Sequence, residues 1–130
     1  MVLDTLPRIS IIAIGVERYE NMRPLFGPSS DIKNIRSMLT VMPDTALFND
    51  SQFIEVLNPS SAELRQQITN YVLGRSASGD ILIFYFSGHG IALGSMDFGF
   101  CTVDTNIHPG AGSVLPFTLV KFSEIMASLS

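Results

Sequence analysis

Three apolar runs, two of them followed after a break by apolar positions at three-to-four-residue spacing, organise the chain. The first is Arg8-Ile-Ser-Ile-Ile-Ala-Ile-Gly15. A run apolar at odd and even positions alike predicts a strand buried on both faces, as in a parallel sheet. A loop with Asn21, Pro24, Gly27 and Pro28 follows. Ile32, Ile35, Leu39 and Met42 then recur at helical spacing. Ser29 or Ser30 is placed to cap that helix, and Pro43 to end it.

The second unit begins with a short strand, Gln52-Phe-Ile-Glu-Val-Leu57, broken by Asn58-Pro59. Ser60 and Glu63 have the spacing of a capping box, in which each side chain takes a free N–H at the helix start. Leu64, Ile68, Tyr71 and Val72 form one apolar face, and Gly74 is a stop signal. The third unit opens at Gly79-Asp80 and continues as Ile81-Leu-Ile-Phe-Tyr-Phe86, which reads as a central parallel strand. It stops at Ser87-Gly88-His89-Gly90. Beyond it, Phe98 to Val103 predicts a short strand or hairpin arm, 106–112 a loop, and Leu119, Phe122, Met126 and Leu129 a last helix. Strand–helix alternation predicts an α/β sandwich with right-handed crossovers. A last helix with no fourth strand after it reads as an incomplete C-terminal end.

Composition narrows the function. The chain of 130 residues suits a single domain, 1–130, and its 46% hydrophobic and 15% charged residues are those of a globular protein. A net charge of -4 and the lack of a basic run give no reason to expect nucleic acid as a partner. The longest apolar runs have strand lengths, far below the roughly 18 residues of a membrane span. With no signal-peptide pattern at Met1-Val2-Leu3-Asp4 and a single cysteine, Cys101, the expected setting is cytoplasmic and reducing.

The candidate chemistry lies at the end of the third strand. Open α/β sheets place their sites at the carboxyl ends of the strands. Flanking glycines remove bulk around His89 and permit backbone angles that other residues avoid. An imidazole with an ordinary pKa of about 6.5 suits proton transfer near neutral pH. The Gly90 N–H next to it is a candidate donor to a developing oxyanion. The plain alternative is a structural histidine in a turn.

Ile83-Phe-Tyr-Phe-Ser-Gly-His-Gly90 resembles the histidine motif of the caspase/metacaspase clan of cysteine peptidases. Ile12-Ala-Ile-Gly-Val-Glu-Arg-Tyr19 is similar to that family's first strand and its exit. Pro24 to Asp31 is similar to the segment opening its first helix, and Phe100-Cys-Thr-Val-Asp104 resembles its small hairpin. The resemblance implies a caspase-like three-layer α/β/α sandwich with a mostly parallel central sheet. In it the first strand lies between the second and the histidine strand. It also implies a histidine–cysteine dyad cleaving peptide or protein substrates, with His89 as acid/base and Gly90 N–H as oxyanion donor.

The implied nucleophilic cysteine follows the next strand, so it is expected outside this chain, and the 130 residues alone are expected to be inactive. Cys101, among Phe98, Phe100 and Val103, reads as a small buried apolar residue. Aspartate-specific caspases resemble one another in an arginine two residues before the segment's glycine. Here Leu25 holds that position and Arg23 is displaced from it. The metacaspase pattern fits better and implies substrate binding by Asp31 and Ser87, with arginine or lysine preferred. As plain alternatives, Asp31 is a helix N-terminal acid and Ser87 a turn residue.

No cofactor and no metal is expected. His89, Cys101, Asp104 and the loop histidine His108 have no zinc spacing, no compact acidic cluster suggests calcium, and Gly94 to Gly99 is not a phosphate loop. The uncovered sheet edge is expected to take a partner chain or to self-associate. Two rival readings remain: a catalytically inactive caspase-like interaction module, and a flavodoxin-like regulatory domain, which gives no account of Ser-Gly-His-Gly.

Overall fold

The structure is a computed structural model that describes residues 9–41, 53–74, 81–108 and 113–129. Its spine is a three-stranded parallel sheet made of β1 (Ile9–Gly15), β2 (Phe53–Leu57) and β3 (Ile81–Ser87), ordered β2-β1-β3. Residue for residue, β1 pairs Ile11–Gly15 with Phe53–Leu57 on one side and Ile9–Gly15 with Ile81–Ser87 on the other. The two-residue period of a strand then divides the apolar side chains. Ile12, Ile14 and Val16 join Val56, Leu64, Ile68, Val120 and Ile125 in one core. Ile11 and Ala13 join Ile32 and Phe53 in the other. Helix α1 (Pro28–Val41) covers the second face; α2 (Ser61–Gly74) and α3 (Phe122–Leu129) cover the first. The result is a three-layer α/β/α arrangement, and the continuous apolar run of β1 is explained by burial on both sides.

The strand order matches the expectation, but β3 is not the central strand. Among the described residues it pairs with β1 alone, and Ile81 and Ile83 remain 46% and 44% exposed. Residue composition shows that both faces are apolar; it does not show how many neighbours lie alongside.

After β3 the chain builds a second, antiparallel sheet. It runs β4 (Gly90–Leu93), β5 (Asp97–Cys101) and β8 (Leu119–Lys121), with β6 (Ile107–His108) and β7 (Ser113–Val114) as a small separate ladder. Two expectations change here. The stretch 106–112 contributes a strand, Ile107–His108, rather than loop throughout. The last helix does not start at Leu119: Leu119 and Val120 are fully buried in β8, opposite Cys101 and Phe100, and the helix begins at Phe122. Long-range pairing with β5 overrides the local helical spacing there. The Lys121 N–H donates to Glu124 Oε1 at 2.8 Å, which caps the shortened helix.

Helix starts show what local sequence does and does not specify. The Ser60–Glu63 capping box forms as expected, with Glu63 N–H donating to Ser60 Oγ at 3.1 Å and Ser60 N–H to Glu63 Oε1 at 2.9 Å. Helix α1 instead starts at Pro28, whose missing N–H suits a first helical position. Its Ser29 N–H donates 2.7 Å to Glu17 Oε1, so the cap comes from the loop after β1 and not from Ser29 or Ser30. Hydrogen bonding from the Ser29 side chain, with that N–H beside it, holds the Glu17 carboxyl below the ordinary carboxylate range. The expected strand start at Gln52, the end signals Met42 and Pro43, and Gly79-Asp80 lie outside the described residues.

Candidate functional site

The carboxyl ends of all three parallel strands converge on one place. Val16 N–H donates to the Ser87 carbonyl at 3.0 Å, and Asn58 N–H to the Gly15 carbonyl at 2.7 Å. Asn58, in a left-handed backbone conformation, turns its Oδ1 to accept from Glu17 N–H at 2.8 Å and Arg18 N–H at 3.1 Å. Asparagine tolerates that conformation, which is how an Asn-Pro breaker becomes a clamp on the β1 exit. Glu20 N–H donates to the Val103 carbonyl at 2.9 Å and Leu25 N–H to the Glu17 carbonyl at 2.9 Å. The loop from β1 to α1 is therefore fixed at several points as it passes in front of β3.

Against this loop stands His89. Its Nε2 lies 2.9 Å from the Arg23 carbonyl oxygen. A carbonyl only accepts, so Nε2 carries the hydrogen and Nδ1 is the lone-pair nitrogen of the neutral ring. Arg23 precedes Pro24, which restricts the backbone that aims this carbonyl. The Tyr19 ring packs on the imidazole with centroids 4.7 Å apart, and the Tyr19 hydroxyl accepts the His89 backbone N–H at 2.8 Å. Burial pushes the Tyr19 hydroxyl up to about 12, outweighing the opposing bond from His89 N–H. It stays protonated at any physiological pH.

The Gly90 amide sits on an open edge. Cys101 N–H donates to the His89 carbonyl at 3.0 Å, which makes 89 and 101 the hydrogen-bonded pair of the hairpin. Gly90 and Phe100 are the next pair, and in an antiparallel ladder the alternate pair turns its N–H and C=O groups outward. The Gly90 N–H therefore points away from β5, on the outer edge of β4, and Gly90 is exposed. An amide with this orientation can donate to an oxygen placed beside the imidazole.

The glycines around His89 are needed for space rather than for unusual angles. Neither Gly88 nor Gly90 has a positive φ. A Cβ at Gly88 would lie 2.7 Å from the Tyr19 hydroxyl oxygen, and one at Gly90 would run into the Phe98 ring. Phe98 in turn packs edge-on against Phe100, with ring centroids 5.1 Å apart.

Ser87 and Asp31, 56 residues apart in sequence, meet directly: the Ser87 hydroxyl donates to Asp31 Oδ2 at 2.7 Å. The same carboxylate oxygen faces Gly27, 3.8 Å from where a Cβ there would sit. The half-buried carboxylate in the first turn of α1 is thus tied to the last residue of β3, which lies two residues before His89. Cys101 is different. Its thiol is buried, and burial pushes it up to about 11 despite a hydrogen bond with Thr105. Among the described residues no group of three or more His, Cys, Asp or Glu side chains is placed to hold a metal ion, and no helix is long and apolar enough to cross a membrane.

Sequence reasoning singled out His89, Gly90, Ser87 and Asp31 but not the groups that hold them. The Arg23 contact uses a backbone carbonyl, which leaves no mark on residue identity. Tyr19 and Phe98 carry one available signal, an aromatic residue facing a glycine of the Ser-Gly-His-Gly turn, but only the fold pairs them.

A parallel sheet lies between two helical layers, with a loop-braced histidine at its carboxyl edge and a small hairpin beyond: a three-layer α/β/α domain with its candidate site at the strand ends. The family model described as the caspase domain matches residues 9–130. The chain belongs to the caspase-domain family and is a domain of the cysteine-peptidase type. No curated protein matches it.

Proposed function

We propose that His89 is the acid/base of a cysteine endopeptidase whose nucleophilic thiolate comes from outside these 130 residues. The observation that carries this reading is the pairing of a tautomer-fixed imidazole with an outward-facing amide at the next residue. Nδ1 takes the proton from the thiol. The thiolate attacks the substrate carbonyl carbon, and the carbonyl electrons move onto oxygen, where Gly90 N–H donates to them. Collapse of that oxyanion breaks the C–N bond, and the imidazolium gives its proton to the leaving amine. Water then hydrolyses the thioester by the same route, with the histidine as base.

Asp31 and Ser87 form the floor of a pocket for the side chain before the scissile bond. An acidic floor favours arginine or lysine. The edge of β3 that is unpaired among the described residues takes a further strand, from a partner chain or a second copy. The setting of the reaction is cytoplasmic, and it needs no metal or cofactor.

The test is hydrolysis of fluorogenic peptides ending in arginine, lysine or aspartate by the polypeptide that carries both His89 and the nucleophile. His89→Ala is expected to lower kcat/KM by at least about a thousandfold. Asp31→Ala should remove the preference for basic residues while sparing kcat far more. Equal cleavage by the wild type and His89→Ala would overturn the reading. One observation favours a second reading, an inactive interaction module: the sole cysteine of the chain is buried with its thiol held protonated. Absence of hydrolysis with any of the three peptides would select it.

A further inference from the structure

We infer that Tyr19 is the positioning residue for His89: its hydroxyl takes the His89 backbone N–H and its ring backs the imidazole, so that one tautomer is presented. This rests on the reading of His89 as acid/base.

The hairpin ladder by itself does not hold His89. Residues 89 and 101 are an opposed pair, and the Cys101 N–H donates to the His89 carbonyl. In a regular ladder the His89 N–H would return the bond to Cys101. Here that N–H is diverted to the Tyr19 hydroxyl at 2.8 Å. The diversion turns the peptide plane at the strand end, and with it the direction in which the side chain leaves the backbone. The ring then lies 4.7 Å from the Tyr19 ring, tilted by 54°, with Nε2 2.9 Å from the Arg23 carbonyl.

Tyr19 is itself immobilised. The N–H groups of residues 17 and 18 bond to Asn58 Oδ1, and that of residue 20 to the Val103 carbonyl. Its hydroxyl also occupies the space a side chain at residue 88 would need, which ties glycine there to tyrosine at 19. A phenylalanine at position 19 would fill the same volume and stack the same way. Only the acceptor would be lost, and that isolates positioning from packing.

The experiment uses the chain with histidine labelled by nitrogen-15, with His108→Gln to assign the two imidazoles. In the wild type the ring shifts should report mainly the tautomer protonated at Nε2. The His89 amide should exchange with solvent at least tenfold more slowly than the outward-facing Gly90 amide. In Tyr19→Phe the His89 amide exchange should rise at least tenfold and the ring shifts should move toward a mixture of tautomers, with circular dichroism unchanged. A folded Tyr19→Phe with the wild-type tautomer and amide exchange would overturn the inference. Should that variant not fold, the wild-type protein decides: equal exchange at His89 and Gly90, or a ring protonated at Nδ1, overturns it. No hydrolysis is needed, so a fixed tautomer in a protein that cleaves nothing would count against the peptidase reading and leave Tyr19 in its role.

Discussion

Replacing Gly90 with alanine drives a methyl group into the tip of the Phe98 ring, which rests edge-on against Phe100 and must shift toward solvent to make room. Overpacking of a closed core costs about 1–3 kcal/mol, and a ring with solvent to move into puts this site at the low end, about 0.5–1.5 kcal/mol. Urea unfolding of Gly90→Ala should show a loss in that range, and adding Phe98→Ala should recover part of it. The two effects are coupled because they concern one contact. Simple additivity of the two substitutions would mean that the ring is not what excludes a side chain at residue 90. At this scale the sequence was legible for identities and silent on causes. Ser-Gly-His-Gly marks the turn at the end of β3, but the reason for its glycines is a tyrosine and a phenylalanine that no local pattern connects to them.

Among the elements, the start of α2 carries the most specific polar arrangement. Asp104 accepts from Ser61 N–H at 2.8 Å and from the hydroxyls of Ser61 and Thr102, both at 2.6 Å. Burial by itself would raise the Asp104 carboxyl, but these bonds outweigh it and hold it below the ordinary range. A carboxylate whose folded pKa is depressed adds stability above its unfolded pKa of about 3.9 and loses it as the pH falls through the folded value. Asp104→Ala is therefore expected to destabilise the protein at pH 7 by about 2 kcal/mol. The loss is moderate because the carbonyls of Phe117 and Thr118 remain as acceptors for the two hydroxyls. The gap between variant and wild type should begin to narrow as the pH falls past the unfolded value of about 3.9 and close only through the lower value of the folded carboxylate. A gap that stays constant down to pH 2, measured by thermal unfolding, would contradict this assignment. Helix α2 was legible from residue 60 onward because its capping box is local, four residues long and self-contained. Asp104, its other cap, sits 43 residues away from Ser61 and belongs to the loop after β5. Helix α3 was misjudged at its start for the same reason: Leu119 has helical spacing to its successors but pairs with Cys101 in β8.

The whole molecule presents a boundary along β3. Ile81 and Ile83 stand half-exposed on a strand that pairs with β1 alone among the described residues. Beside them Ile11, Ile35, Met38, Leu39 and Tyr85 complete an apolar cavity of about 180 Å³ with Ile83. Unpaired strand edges with apolar side chains promote association. Gel filtration should show an elution volume that shifts with protein concentration, and Ile83→Lys should move it toward the monomer. Concentration-independent elution as a monomer would argue against an associating edge.

By itself, the sequence determined the local choices: three apolar runs became the three parallel strands, the Ser60–Glu63 box began a helix, and the histidine turn fell at a strand end. These follow from side-chain period, capping and backbone preference, which act over a few residues. Tertiary structure alone decided which nitrogen of His89 carries its proton, which direction the Gly90 amide faces, where α3 begins, and that Ser87 and Asp31 share a hydrogen bond. Each of these depends on a partner beyond the local segment, as far as 66 residues away for the His89–Arg23 contact, and such contacts form only when the fold brings separate segments together.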